Sequence, residues 1–408
     1  MTMHEVKLTA LDGSNLLAFM AALGTLRTLC RKSAGILLSW KMEKASGIWQ
    51  PVLSQCPFPQ DELSAVLHGC LSPRILPSKE ETAKQSAAKR AFKEAEKAFK
   101  KEMDAILAKK KDQEKEIKRR FDPKSASNPS KTKKDLSREQ KAELDALKKQ
   151  TDESIAHARK QHRLDDLERA WKNIIETNSP LPHFSMGEDF KVKPFDFRAF
   201  VQKSLDSHKG NAPGPELLQF AAAFATECAL DLNGNVADSD LRAVGGGQTR
   251  ILKEIRKIVS KTSQEHLEKS LCGAWDYSDP SPAMRWDPNE NRPYALRANN
   301  PASDQKQVTM RGANRLAIEA FPFFPVMTSN GHASTTAFRR SSHGLEISWP
   351  VWTDSLGMDE IRSLLCIPDL SNEKPNLLSI SSRGVIQVYR SRRFGKEYRN
   401  FSPSKALL

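Results

Sequence analysis

Between residues 79 and 172 the chain carries 28 Lys and Arg against 19 Asp and Glu. That stretch alone supplies +9 of the formal +14 of the sequence. Within it Ala88, Phe92, Ala95, Phe99, Met103 and Ile106 recur every three or four residues. This is the spacing of one apolar stripe on an otherwise charged helix. The segment "FDPKSASNPSKTKKD" breaks the pattern with two prolines and small polar residues. Ser137 with Gln140 three residues on then gives a capping-box signature for a second helix. Leu144, Leu147, Leu164, Leu167 and Trp171 supply its sparser stripe. The spacing predicts a coiled-coil-like antiparallel helical hairpin, each arm on the order of 50 Å at 1.5 Å per residue. Its lysines either keep a solvated hairpin soluble or build an arm that contacts nucleic acid or a neighbouring subunit. The residues leave both readings open.

The hairpin divides the chain into an N-terminal α+β part (1–78), the lysine-rich insertion (79–172) and a C-terminal α+β part (173–408). In the first part Val6, Leu8 and Ala10 alternate with polar residues, as in a strand. Ser14 or Asn15 can cap a following helix whose apolar face carries Leu16, Phe19, Met20, Leu23 and Leu26. Gly24 in mid-helix marks close contact with another backbone. Arg27, Arg31 and Lys32 stand where cations complement the helix's C-terminal dipole. "GILLSWKMEKASGIWQPVL" reads as a hairpin turning at Ser46-Gly47. In the last part "ELLQFAAAFATECALDL" reads as a buried helix, "HGLEISWPVWTD" and "RGVIQVYRSRRF" as strands, and "DEIRSLLCIPDL" as a short helix. There is no internal repeat and no βαβ rhythm, which argues against a parallel Rossmann-type sheet. The expected fold class is α+β: a mixed α/β globular body with an inserted long charged helical hairpin.

A length of 408 residues allows two or three domains and a substantial core. With 38% apolar and 28% charged residues, the composition fits a globular protein with a polar insertion better than a disordered chain. The excess of positive charge favours polyanionic partners, nucleic acid before membrane. Cys30, Cys56, Cys70, Cys228, Cys272 and Cys366 stand singly, with no CxxC, so free thiols in a reducing compartment are expected. The apolar run from Leu16 to Leu26 is too short to span a bilayer and follows acidic residues, not a basic leader. A soluble cytoplasmic protein without membrane partners is the expectation.

Several stretches carry candidate chemistry. "VGGGQTRILKEIRKIVSK" places Gly245, Gly246 and Gly247, then Gln248, Thr249 and Arg250, before an amphipathic helix with basic residues off its apolar face. Amides at such a helix start suit a phosphate. The stretch fits neither GxGxxG nor a Walker A loop, which disfavours a nucleotide-binding enzyme. A backbone-phosphate cradle and a tight structural turn both remain. In "RWDPNENRPYALR", Asp287, Asn289 and Asn291 match the first, third and fifth ligands of a calcium loop. Arg292 stands where that loop needs Gly, and Ala298 where it needs Glu, so calcium is set aside. Arg285, Arg292 and Arg297 with Trp286 and Tyr294 suit a polynucleotide, Asn289 and Asn291 being able to read adenine. A connector anchored in the core by Trp286 and Tyr294 is the alternative. "MRGANRLAIEAFPFFPV" adds Arg311 and Arg315, with Leu316, Ile318, Phe321, Phe323 and Phe324 as core and Glu319 as a salt-bridge partner or a catalytic carboxylate. The tail "SRGVIQVYRSRRFGKEYRNF" interleaves Arg390, Arg392, Arg393 and other cations with aromatics, a nucleic-acid pattern or an exposed tail. No HExxH, HxH, HD, GxSxG or Cys-His signature presents a catalytic group, no metal site is indicated and no cofactor is expected.

Taken together, "LDGSNLLAFMAALGTLR", "GGGQTR", "RWDPNENRPYALR" and "GANRLAIEAFPFFPV" resemble the large subunit of a type I CRISPR–Cas surveillance complex (Cascade), in its compact I-U or I-G form. The resemblance covers both ends of the chain in order and none of the lysine-rich middle. It implies a non-enzymatic subunit that holds the 5′ region of the CRISPR guide RNA. It also implies inspection of the short motif (PAM) flanking the double-stranded target DNA, contact with other Cascade subunits and help in recruiting a separate helicase-nuclease. Guide pairing reads the long sequence while protein groups read a few flanking base pairs. Two readings from other classes stay open. One is a metal-dependent nuclease using Asp287, Glu290 and Glu319. The other is an architectural subunit whose hairpin binds protein and which has no nucleic-acid role.

Overall fold

Alternation at the N-terminus yields an edge strand, β1 (His4–Lys7), and Asn15 starts the helix that follows. The computed structural model describes residues 2–71, 79–121, 133–167, 170, 192–208, 214–243, 250–280, 282–291, 308–329, 331–342, 344–394 and 400–407. The Asn15 side chain accepts from the Ala18 amide at 3.2 Å and caps α1 (Leu16–Cys30). Then come β2 (Leu37–Met42), β3 (Trp49–Cys56) and α2 (Leu63–Leu71). Gly47, at φ +70°, turns β2 back onto β3, and the three strands form an antiparallel sheet in the order β1-β3-β2.

Two long helices follow, α3 (Lys79–Arg120) and α4 (Lys133–Gln161). At 42 residues α3 is about 63 Å long, more than the expected arm. The second helix begins upstream of the expected capping residue Ser137. Ion pairs Arg120–Glu143 (3.2 Å) and His162–Glu102 (2.8 Å) set the two antiparallel. Phe99 meets the His162 ring edge-on in the same seam.

Beyond them lie α5 (Pro194–His208), α6 (Gly214–Phe224), β4 (Ala225–Leu230) and β5 (Val236–Asp238). The buried helix expected through residue 232 therefore ends at Phe224. Asp231 accepts from the amides of Asn233 and Asn235, and Gly234 adopts φ +70°, so a tight turn pairs β4 with β5. Next are α7 (Ile251–Lys261), α8 (Gln264–Cys272), β6 (Asp279–Pro280), β7 (Val308–Thr309) and α9 (Arg311–Glu319). The C-terminal sheet involves β10 (Phe338–Ser341), β11 (Gly344–Trp352), β12 (Val385–Phe394), β13 (Asn400–Phe401) and β14 (Lys405–Ala406), preceded by the β8–β9 hairpin (Val326–Ser329, His332–Thr335). Its order is β10-β11-β12-β13, with β14 also on β12, and every pairing is antiparallel. Between β11 and β12 stand α10 (Met358–Leu365), α11 (Pro368–Ser371) and α12 (Leu377–Ser381).

The chain divides into two compact units, Met1–Ile75 with Pro180–Leu408, and Leu76–Ser179. The two ends expected as separate parts thus build one α+β body. Its centre is α1, which is buried from Leu16 to Leu29 on all sides, not only along one stripe. Phe19 packs against Trp40 of β2 (ring centres 5.8 Å apart) and Trp349 and Trp352 of β11 (6.1 and 6.3 Å). The two β11 indoles donate to Gly13 O and Leu38 O, satisfying their polar edges inside the core. On its other flank α1 crosses α9 at Gly24, where a Cβ would lie 1.8 Å from the Leu316 carbonyl oxygen. Gly24 marks close backbone contact, as its sequence position suggests.

Candidate nucleic-acid interface

The site is built outward from Asn314 on α9. Its Oδ1 accepts from the Met284 amide (2.8 Å), and its Nδ2 reaches Glu290 Oε1 (3.0 Å) and Thr309 Oγ1 (2.9 Å). One buried amide therefore holds both ends of the turn 284–290. Asp287, in the middle of that turn, accepts from Asn15 Nδ2 (3.0 Å), the Tyr277 hydroxyl (2.7 Å) and the Asn289 amide (2.8 Å). The N-cap of α1 is thus tied to the turn 272 residues away. Asn289 also donates from its side chain to Tyr277. Arg285 sits at φ +63° and half-exposed, between the buried Met284 and Trp286. A non-glycine residue in that region of backbone space is held there by its surroundings.

Trp286 is fully buried and donates from Nε1 to Leu241 O (2.8 Å), so it is a core anchor. Arg393 of β12 donates to Asp240 O (2.7 Å) and Arg242 O (3.1 Å). Segment 240–243, which leads into the glycine triplet, is therefore gripped by the turn and by β12. Gly245, Gly246, Gly247, Gln248 and Thr249 themselves lie outside the described residues, as do Arg292, Tyr294 and Arg297. Asn291 closes a 3₁₀ turn, Pro288–Asn291, and its side chain is outside the described set. Arg250 is exposed at the start of α7, whose Ile251, Leu252, Ile255, Ile258 and Val259 are buried. Arg392 is exposed on β12.

Arg311, Arg315, Arg390 and Arg393, singled out in the sequence, bond to protein acceptors. Arg311 donates to Pro280 O (2.8 Å) and faces His266 Nε2 (2.9 Å). Arg315 is paired with Glu319 (2.7 Å) and donates to Leu71 O (3.2 Å). Arg390 bonds Ser348 Oγ and the carbonyls of Leu370, Asn372 and Glu373. Arg393 holds the 240–242 carbonyls described above. Nor does Arg27 serve as a surface cation on the helix dipole: it is buried, 2.8 Å from Glu319 and 3.4 Å from Glu216. Glu319 consequently stands among Arg27, Arg31 and Arg315. Asp287 and Glu290 adjoin one another, but these bonds place Glu319 in a separate ion cluster. Among the described residues no group of three or more His, Cys, Asp or Glu could hold a metal ion.

Burial dominates the electrostatics of the turn. It pushes the Glu290 carboxyl up to about 8, with neighbouring Asp287 adding to the rise and bonds from Thr309 and Asn314 opposing it. Glu290 Oε2 has no hydrogen-bond partner, which a protonated carboxyl tolerates better than a carboxylate. The Tyr277 hydroxyl is raised by burial and then by Asp287. Asp240 is raised by burial, against the pull of Arg393 and Arg340. Sequence reading missed Asn15 as a bridge, and Tyr277, Thr309 and Asn314 altogether. The one signal for Asn314 was a polar residue inside an apolar helix stretch.

Comparison with protein-family models, curated proteins and solved structures finds no match to this chain. All six cysteines are free thiols. No helix among the described residues is long and apolar enough to cross a membrane.

Proposed function

We propose that this chain is the non-catalytic large subunit of a CRISPR RNA-guided surveillance complex, acting in the cytoplasm. It binds the 5′ region of the guide RNA and the motif flanking the target duplex, beside other Cascade subunits, and helps recruit a helicase-nuclease. One observation carries the reading. Three of the stretches on which the resemblance rests, far apart in sequence, meet around the turn 284–290: Asn15 bonds Asp287, Asn314 bonds Met284 and Glu290, and Trp286 of the same turn donates to Leu241, upstream of the glycine triplet. Arg285 lies within that turn, Arg392 precedes the Arg393 that holds the carbonyls of Asp240 and Arg242, and Arg250 opens α7; all three are at exposed or half-exposed positions suited to phosphates.

The test is target binding by the assembled complex with Arg250, Arg285 and Arg392 replaced by Ala. Affinity is expected to fall, and the salt dependence to become shallower by up to about 3 in the log–log slope, roughly one for each phosphate no longer neutralised. Unchanged binding with an unchanged slope would remove these residues from the interface. Mg²⁺-dependent cleavage by the isolated chain that disappears in Glu290→Gln would overturn the non-catalytic part.

A further inference from the structure

The two-helix unit carries its charge on one side. With 3.6 residues per turn, successive positions rotate by about 100°. Measured from Phe99, which faces α4, the side chains of Lys93, Lys97, Lys100, Lys111, Lys115 and Lys118 fall within an arc of about 60° on one flank of α3. All six are exposed; Asp104 is the one acidic residue within that arc, Glu96 and Glu114 stand between it and the seam, and Lys115 is paired with Asp112 at 3.5 Å, so the flank keeps a clear excess of positive charge. The opposite flank mixes signs, with Glu94, Glu102, Asp112 and Glu116 set among its cations. A solvated coiled coil needs only interspersed charge; one-sided segregation concentrates positive potential. Because α4 runs antiparallel, the same sense of rotation from the seam brings its Lys141 and Lys148 to the same broad face. Asp145 and Asp152 offset them there, so α3 supplies the net charge.

We propose that this face of α3 is a docking surface for the phosphate backbone of a nucleic-acid duplex, bound without regard to sequence. From Lys93 to Lys118 the array is about 38 Å long, close to one turn of B-form duplex. An anionic bilayer fits less well. Membrane-surface helices press an apolar face into the lipid, whereas the apolar stripe of α3 is turned towards α4. The inference stands apart from the reading of the body, since no residue of the network above takes part.

Anisotropy titrations of the purified full-length chain against a labelled duplex of arbitrary sequence, across a salt series, test it. Four variants are compared with the native chain: Lys93, Lys97, Lys111 and Lys115→Gln; the same four→Arg; Lys84, Lys101, Lys109 and Arg119→Gln from the other flank; and Arg285 with Arg392→Ala in the body. The first is expected to bind about tenfold more weakly or worse at physiological ionic strength, with a log–log slope shallower by about 3 to 4. The Arg set should bind like the native chain, and the charge-matched control should weaken far less. Equal weakening in the two Gln sets, no weakening in either, or duplex binding abolished by the body variant alone would overturn the proposal. So would Lys93/97/111/115-dependent binding to phosphatidylserine vesicles without binding to duplex.

Discussion

Glu290 shows what a single buried carboxyl imposes. Its ordinary value is 4.5, and the folded site raises it to about 8. The folded state therefore holds a proton that the unfolded chain releases, so the group favours folding at low pH. That contribution is full below about 4.5 and fades as pH climbs through 8. Glu290→Gln keeps a hydrogen-bonding side chain without the ionisation. Urea midpoints measured from about pH 5 to 8 should fall less steeply in the variant than in the native chain, other titrations being common to both. Parallel curves would mean that Glu290 does not ionise in this window. The neutral form also explains why Asp287 and Glu290 can sit side by side: only one of them carries charge.

Among elements, β12 is the clearest case of a sequence pattern with two roles. Its basic-aromatic run reads as a nucleic-acid signal, yet two of its arginines that share a face, being two residues apart, have different surroundings. Arg390 is buried and ties carbonyls in and just after α11 to the sheet, while Arg392 is exposed. Arg390→Ala removes the donor to the buried Leu370 carbonyl and to the Asn372 and Glu373 carbonyls beside it, and should cost about 3 kcal/mol. Amide exchange of residues 368–373 should accelerate, and Arg390→Lys should not restore it, because an ammonium lacks the planar fork that reaches separated acceptors. Unchanged exchange would deny the strut. The same limit explains what was legible beforehand. Strands β2, β3, β11 and β12, the Asn15 cap and the Gly24 contact follow from local pattern. The burial of Arg27 and Arg315 does not: Arg315 meets Glu319 on its own helix, but its other acceptor Leu71 O, and the Glu319 and Glu216 that pair with Arg27, converge only in the folded body. The end of α6 at Phe224 was hidden by a run of alanines that suits a helix, and the turn at Asp231 overrides it.

The whole molecule is two units with unequal cores. The hydrophobic cluster of the body draws on residues 6–71 and 197–401, and among the described residues none of its members comes from α3 or α4. Replacing residues 76–179 by a flexible Gly/Ser linker should therefore leave a body that unfolds cooperatively, with a thermal midpoint within a few degrees of the native chain. Loss of the cooperative transition would show that the body needs the helical unit. There is also a matter of timing during synthesis. Glu319, the counter-charge of Arg27 on helix α1, is made 292 residues after it. At ribosomal speeds of 5–20 residues per second that is roughly 15–60 s. Throughout that interval a helix buried on all sides in the folded body waits without the cover of α9, and the next long segment to emerge is one that water keeps in solution. A chaperone that holds apolar helices has its natural substrate here, until α9 is made.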